Sequence, residues 1–392
     1  MASKTKKLTK EQKALRRKLF RVLKQQGFKI NPHIRPAIDS KEYYRKIQSM
    51  ARLEQLSLHQ TFLKEFLPEA MKYCRDGKEI VPENITLELR LVKPDSFEDK
   101  LFRWWNFIWW SIPYQRPYGR MMRFILWDTT HNAPLGLILL QSPVLQMSVR
   151  DNALRIPRDK LDIWINKSLN AQRTGALPPY NDLLGGKMVA LAMTSNEVRE
   201  SYRKKYSGTV TLLEKRVIEP DLLFVTTTSA FGKSSMYDRL NYNGKTVAQS
   251  LGYTQGAGSF HIPETLYEEI IVFLKRQGIN AARGYGNGPS RKIKLINEAF
   301  SRLRLPRFSY HGIKREFYIF PLVSNLGGVI HNDQSPLWYD RPFSELVEYW
   351  KNRWAIPRSK SLPRWKEFTS AEFLNNVKQL LDATGSKRSL HS

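Results

Sequence analysis

The sequence predicts an α/β (α+β) protein on a mixed sheet, with a helical N-terminal region and a basic C-terminal extension. Three observations carry this. Residues 122–142 are two apolar runs joined by Asp128-Thr129-Thr130-His131-Asn132-Ala133-Pro134, a hairpin pattern. Strand-like and helix-like stretches then alternate to residue 278, as in a domain of packed sheet and helix layers. Both ends are instead basic, one with a leucine period and the other with tryptophans. The regions expected are 1–80 (basic, helical), 81–330 (α/β core) and 331–392 (basic, Trp-containing).

Taken in order, residues 1–30 hold eleven Lys/Arg and one acid, Glu11. Leu8, Leu15, Leu19, Val22 and Leu23 recur among them at helical spacing, which predicts a basic amphipathic helix. Residues 39–76 read as helix, opened by Ser40 as cap and interrupted near Pro68. Residues 84–92 alternate like a strand, and 102–114 are dense in tryptophan. After the hairpin come a helix through 159–173, a turn ending in Gly185-Gly186-Lys187, and a helix to about Tyr206. Leu222–Ser229 is an uncharged strand, 262–278 a helix, and 316–323 a late strand. Residues 275–315 carry eleven Lys/Arg and one acid around Gly284–Pro289, and 351–366 add six Lys/Arg and no acid.

Charge narrows the function. There are 64 Lys+Arg against 36 Asp+Glu, net +28 over 392 residues. Such an excess repels itself unless an anionic partner offsets it, and nucleic acid, DNA foremost, is the commonest such partner. A single cysteine, Cys74, rules out an internal disulfide and multi-cysteine metal sites, and fits a cytoplasmic location. The charged N-terminus is no signal peptide, and the apolar Phe102–Trp110 stretch is far shorter than the ~20 residues of a membrane span. No paired-histidine or CxxC spacing suggests a metal, and no cofactor is expected.

Two turns have the chemistry to seat an anion. Gly185-Gly186-Lys187 opens an apolar helix, where N–H groups and a lysine attract phosphate, but glycines required by packing explain it equally. Gly232-Lys233-Ser234-Ser235, after the Thr226-Thr227-Thr228 strand end, imitates the close of a nucleotide loop, with Arg239 beyond. Position 227 is Thr where that loop needs its first glycine, so ATP hydrolysis is not expected. His261 follows a glycine-rich stretch, and structural hydrogen bonding is its plainer role. Arg16, Arg17 and Arg21 in the first helix, with Arg353, Trp354, Arg358, Arg364 and Trp365 near the end, are nucleic-acid-binding candidates. Aromatic faces among cations can stack unpaired bases.

In order, Arg150-Asp151, Ile165-Asn166-Lys167, Asp182–Lys187, Ser195-Asn196-Glu197-Val198, Thr226–Leu240 and Gly252–Gly256 form a set that resembles the DruA family of the Druantia anti-phage system, over about residues 80–330. The resemblance implies a role in defence against phage beside other Druantia proteins, including a large helicase. It implies no particular reaction. The element order over 122–240 also resembles a GNAT-type acyltransferase core. That superfamily's pyrophosphate loop, Arg/Gln-x-x-Gly-x-Gly/Ala, is not matched by Leu183–Lys187, so this second likeness concerns fold alone. Three readings are therefore expected to compete: a nucleic-acid-binding defence component, an enzyme with a GNAT-like core or nucleic-acid-processing activity around 226–261, and a scaffold whose basic surface docks an acidic partner protein.

Overall fold

The basic N-terminal segment folds as α1 (Lys10–Gln25), closed by a capping box between Thr9 and Gln12. Its leucine period becomes a buried stripe of Leu15, Leu19 and Leu23. A two-stranded hairpin follows, β1 (Phe28–Ile30) with β2 (Ile34–Pro36), then α2 (Lys41–Leu58) and α3 (Gln60–Met71). Ser40 caps α2 as expected, through the Tyr43 N–H. The break between α2 and α3 falls at His59. Pro68 lies inside α3 on its exposed side, where water can satisfy the carbonyl that proline leaves unpaired. A computed structural model describes residues 7–30, 33–211, 214–280, 291–305 and 307–385; the expected Gly284–Pro289 loop lies outside them.

The centre is a seven-stranded mixed sheet. It is entered by β3 (Leu87–Leu91), α4 (Phe97–Ile108), β4 (Met121–Asp128) and β5 (Ala133–Gln141). Then come α5 (Ser148–Ala153), α6 (Leu161–Asn166), β6 (Ser168–Ala176), α7 (Gly185–Ala192), α8 (Asn196–Tyr206) and β7 (Phe224–Thr228). The one-turn α9 (Ser235–Asp238), the small hairpin β8 (Asn241–Tyr242) and β9 (Lys245–Thr246), and β10 (Gln249–Tyr253) lead to α10 (Glu264–Arg276) and α11 (Arg291–Arg302). The chain ends with β11 (Glu316–Pro321), α12 (Leu326–His331), α13 (Phe343–Trp350), α14 (Ile356–Ser361) and α15 (Ser370–Gly385). Strand order is β10-β11-β7-β6-β5-β4-β3. All neighbours are antiparallel except β6 and β7.

Two expectations shift. The helix through 159–173 stops at Asn166, because 168–176 form β6. That strand lies between β5 and β7 and is buried on most positions, so its apolar period resembles a helix's. The helix expected to run to Tyr206 is cut in two where Ser195 caps α8 at the Val198 N–H.

Both faces of the sheet are covered, which is why β5 is buried along its whole length. Phe124, Leu126 and Ile138 face α7, α8 and α13 on one side; Ile125, Leu137 and Leu139 face α3, α4 and α15 on the other. The tryptophan-rich helix α4 contributes Trp104 and Trp105 to this second side. The parallel β6–β7 ladder has only four pairs, Ser168↔Phe224 to Ala171↔Thr227. Beyond it the Tyr237 side chain of α9 fills the gap, within hydrogen-bonding reach of the Thr174 and Thr227 hydroxyls.

A second core stands apart from the sheet. It joins α1, the β1–β2 hairpin and the start of α2 to α10, α11 and the chain leading into β11. Leu19 is 1% exposed in it. Leu19→Ala should cost about 2–5 kcal/mol through lost burial and a cavity. Urea unfolding will read this as a lower midpoint, and an unchanged midpoint contradicts the docking of α1.

Candidate nucleic-acid interface

The leucine stripe decides what α1 shows to solvent. At 3.6 residues per turn, Lys10, Lys13, Arg17, Arg21 and Lys24 fall within about a quarter turn of one another, opposite the leucines. All five are exposed, and none pairs with a carboxylate among the described residues. The flanking cations are tied down. Lys18 pairs with Glu269 of α10, and Arg16 donates to the Leu303 carbonyl at 3.4 Å. Glu11, the helix's one acid, pairs with Arg276. Of the three arginines expected to bind here, Arg17 and Arg21 thus face outward and Arg16 helps dock the helix.

The stripe is about 21 Å long at 1.5 Å per residue. It contains four like-charge neighbours at i,i+3 or i,i+4, a self-repulsion of about 1–2 kcal/mol. The β1–β2 hairpin extends the basic surface with Lys29 and Arg35, both exposed and directly opposite across the ladder. Sequence patterning missed this hairpin; only the isolated alternation of Ile30 and Ile34 about two prolines hinted at it.

The double-glycine turn is shaped by packing. A side chain at Gly185 would place its Cβ 2.7 Å from the Tyr180 carbonyl oxygen, and one at Gly186 2.7 Å from Met236 Sδ. The Gly185 and Lys187 N–H groups donate to the Tyr180 and Leu184 carbonyls. Leu184 itself is left-handed (φ 57°), and its carbonyl accepts the Trp350 indole N–H. Lys187 lies 3.1 Å from the Arg239 carbonyl and over the Trp354 ring. Burial lowers its pKa, and the Arg239 and Arg353 charges lower it further. The fold therefore gathers Lys187, Arg239, Arg353 and Trp354, expected from separate segments, into one basic cluster.

At the end of β7 the turn is drawn inward. Tyr318 of β11 accepts the Ser234 N–H at 3.2 Å, lies 2.7 Å from Asp238 Oδ1, and bonds Glu316. Burial, then the Glu316 bond, raises the Tyr318 phenol's pKa. Lys233 remains exposed, 3.6 Å from Asp238, and Ser235 is exposed as the first residue of α9.

Near the C-terminus the expected residues separate. Arg353 and Arg364 are exposed, Trp354 is half-buried, and Arg358 is half-buried with its Nε donating to the Asp182 carbonyl. Trp365 is the correction. It is 2% exposed and donates to the Ser359 carbonyl, so the core holds the face that was to stack a base. Cys74 is buried too, and burial pushes its thiol up to about 12.

His261 is fully buried against Phe28, Phe260 and His311, bonded to the Phe308 carbonyl at 3.0 Å. That placement takes it away from solvent. Burial lowers its pKa to about 4 and that of neighbouring His311 well below normal, with Arg315 adding to the latter. The folded state thus binds fewer protons than the unfolded one between about pH 6.5 and 4. Stability is fully present above that window and falls as pH drops through it, by on the order of 3 kcal/mol for His261. Denaturation midpoints from neutral pH downward should show this slope, and His261→Phe should flatten it. At the double glycine, Gly185→Ala should destabilise by about 1–3 kcal/mol, and Gly186→Ala by less because Met236 can swing aside. Equal losses in thermal melts would contradict this packing assignment.

The model of the family described as Druantia protein DruA matches residues 38–332, beginning well before the 80–330 span expected from motifs. A relative from Escherichia coli (strain UMEA 4076-1), Druantia protein DruA, is 32% identical over 346 residues, covering 86% of this chain and 85% of the relative. No solved structure matches. With three quarters of its length matched by the family model and 86% of it aligned to that relative, the chain belongs to the DruA family.

Proposed function

We propose that this chain is the nucleic-acid-binding component of a Druantia anti-phage assembly, gripping DNA through the cationic face of α1. Its family membership makes it a Druantia protein. The observation that carries the binding role is the five-cation stripe held outward by three buried leucines. Laid along a duplex, about 21 Å of helix faces about six phosphates of one strand. Releasing their counterions supplies sequence-independent affinity, and neutralisation removes the repulsion stored in the helix. The basic cluster of Lys187, Arg239 and Arg353 gives the core a second place for anionic oxygens, and exposed Lys233 precedes α9. In this reading the protein acts in the cytoplasm beside other Druantia proteins, including the helicase, and basic residues of the C-terminal extension, Arg353 and Arg364, add backbone contacts.

A second reading keeps a GNAT-like core with enzymatic activity. It is favoured by the strand order and by the parallel β6–β7 pair that ends after four residues. Acyl-CoA chemistry would need open N–H groups after β6 and an open gap between β6 and β7. Here the Gly185 and Lys187 N–H groups are spent on backbone carbonyls, and Tyr237 fills the gap. The architecture thus supports a GNAT-like likeness in fold more than in chemistry.

Binding should weaken steeply with salt. Replacing Lys13, Arg17, Arg21 and Lys24 with Gln should reduce the log K against log salt slope by about 0.9 for each cation that meets a duplex phosphate. Titrations by fluorescence anisotropy will read both. Unchanged slope in the variant removes α1 from the interface, and no binding at low salt removes the proposal.

A further inference from the structure

Two hollows along the β1–β2 hairpin share Gly312 in their walls. One, of about 380 Å³, is lined by Lys29, Arg35 and Asp39. The other, of about 480 Å³, is lined by His33, Gln255, Arg307 and Tyr310. Both are shallow and open to solvent. Their walls are unusual for an ordinary surface. Lys29 and Arg35 are exposed cross-strand partners of like charge, an arrangement that destabilises a hairpin. The acid in the first hollow, Asp39, already accepts the Tyr44 hydroxyl. Tyr310 is 42% exposed at the rim, and Gln255 and His33 present exposed hydrogen-bonding groups around it. Gly312, common to both hollows, has φ +79°, a backbone that other residues rarely adopt.

We infer that this double hollow receives an unpaired nucleotide, with its base on Tyr310 and its flanking phosphates on Arg307, Lys29 and Arg35. The inference rests on the nucleic-acid reading above and adds to it the strand state recognised. Tyrosine stacks any base, whereas a base inside a continuous duplex offers no open face, so stacking here selects single strands and frayed or tailed ends. Gln255 and His33 would then meet the exposed base edge, which pairing otherwise occupies. The α1 helix leads into β1 through Gly27, so the hairpin that lines the hollows follows the stripe directly in the chain.

The test compares the full chain on a short labelled single strand of DNA, its blunt duplex, and that duplex with a short single-stranded tail. The wild type should bind the single strand and the tailed duplex about tenfold or more tighter than the blunt duplex, a ratio that one stacked base can supply. Tyr310→Ala should abolish that preference and leave blunt-duplex affinity unchanged, while Tyr310→Phe retains it. Since the ring is at the surface, thermal melting should confirm that both variants fold. Equal binding of all three probes by the wild type, or a preference untouched by Tyr310→Ala, overturns the inference while leaving the α1 interface standing. Failure to bind any probe at low salt overturns the nucleic-acid reading itself.

Discussion

The docking of Leu15, Leu19 and Leu23 against α10 and α11 is the contact on which the surface chemistry depends. A helix so rich in cations would gain little by folding alone, since its own charges oppose it. Burying three leucines stabilises it by roughly 1.5–3 kcal/mol each, which exceeds the repulsion among the outward cations. Polar ties then fix its rotation: Gln12 and Arg16 donate to carbonyls at the end of α11, and Glu11 and Lys18 pair with α10. With that rotation set, one helix face becomes a fixed row of positive charge.

Net charge alone would misplace where this protein is electropositive. Arg120, Arg150, Arg173 and Arg341 are buried. Arg173 holds the Pro113 carbonyl and Asn106, and burial lowers its pKa to about 10. Arg120 binds Tyr202 and the Asn166 carbonyl. These buried cations stitch strands and loops together. Among the cations left for a partner are the exposed row on α1, Lys29 and Arg35 of the first hairpin, and the cluster around Lys187. The same economy governs the centre of the sheet, where α9 occupies the space that the short β6–β7 ladder leaves between the strands.

Much of the fold was legible because local patterns carried it. The β4–β5 hairpin, the Ser40 cap, the leucine period of α1 and the apolar β7 all stand where alternation or helical spacing places them. What was not legible depended on contacts distant in sequence. Buried on most positions, β6 reads like helix, and its strand identity comes from its neighbours. Trp365 has the composition of a stacking residue, and only tertiary packing hides it beneath the chain near Gly77. The second core joins residues before 60 to Phe231 and residues after 259, a pairing that no local window contains. Its surface therefore gathered Arg35, Arg307 and Tyr310 without any motif to announce them. The Gly185-Gly186-Lys187 turn had the opposite fate: a suggestive motif whose glycines are accounted for by Tyr180 and Met236.

Lysine-modification footprinting by mass spectrometry, with and without DNA, tests the central claim most directly. The account predicts protection of Lys10, Lys13, Lys24 and Lys29 on adding DNA, with Lys93, Lys100 and Lys378, exposed elsewhere on the chain, modified as before. Uniform protection of all exposed lysines, or protection that spares α1, would contradict it.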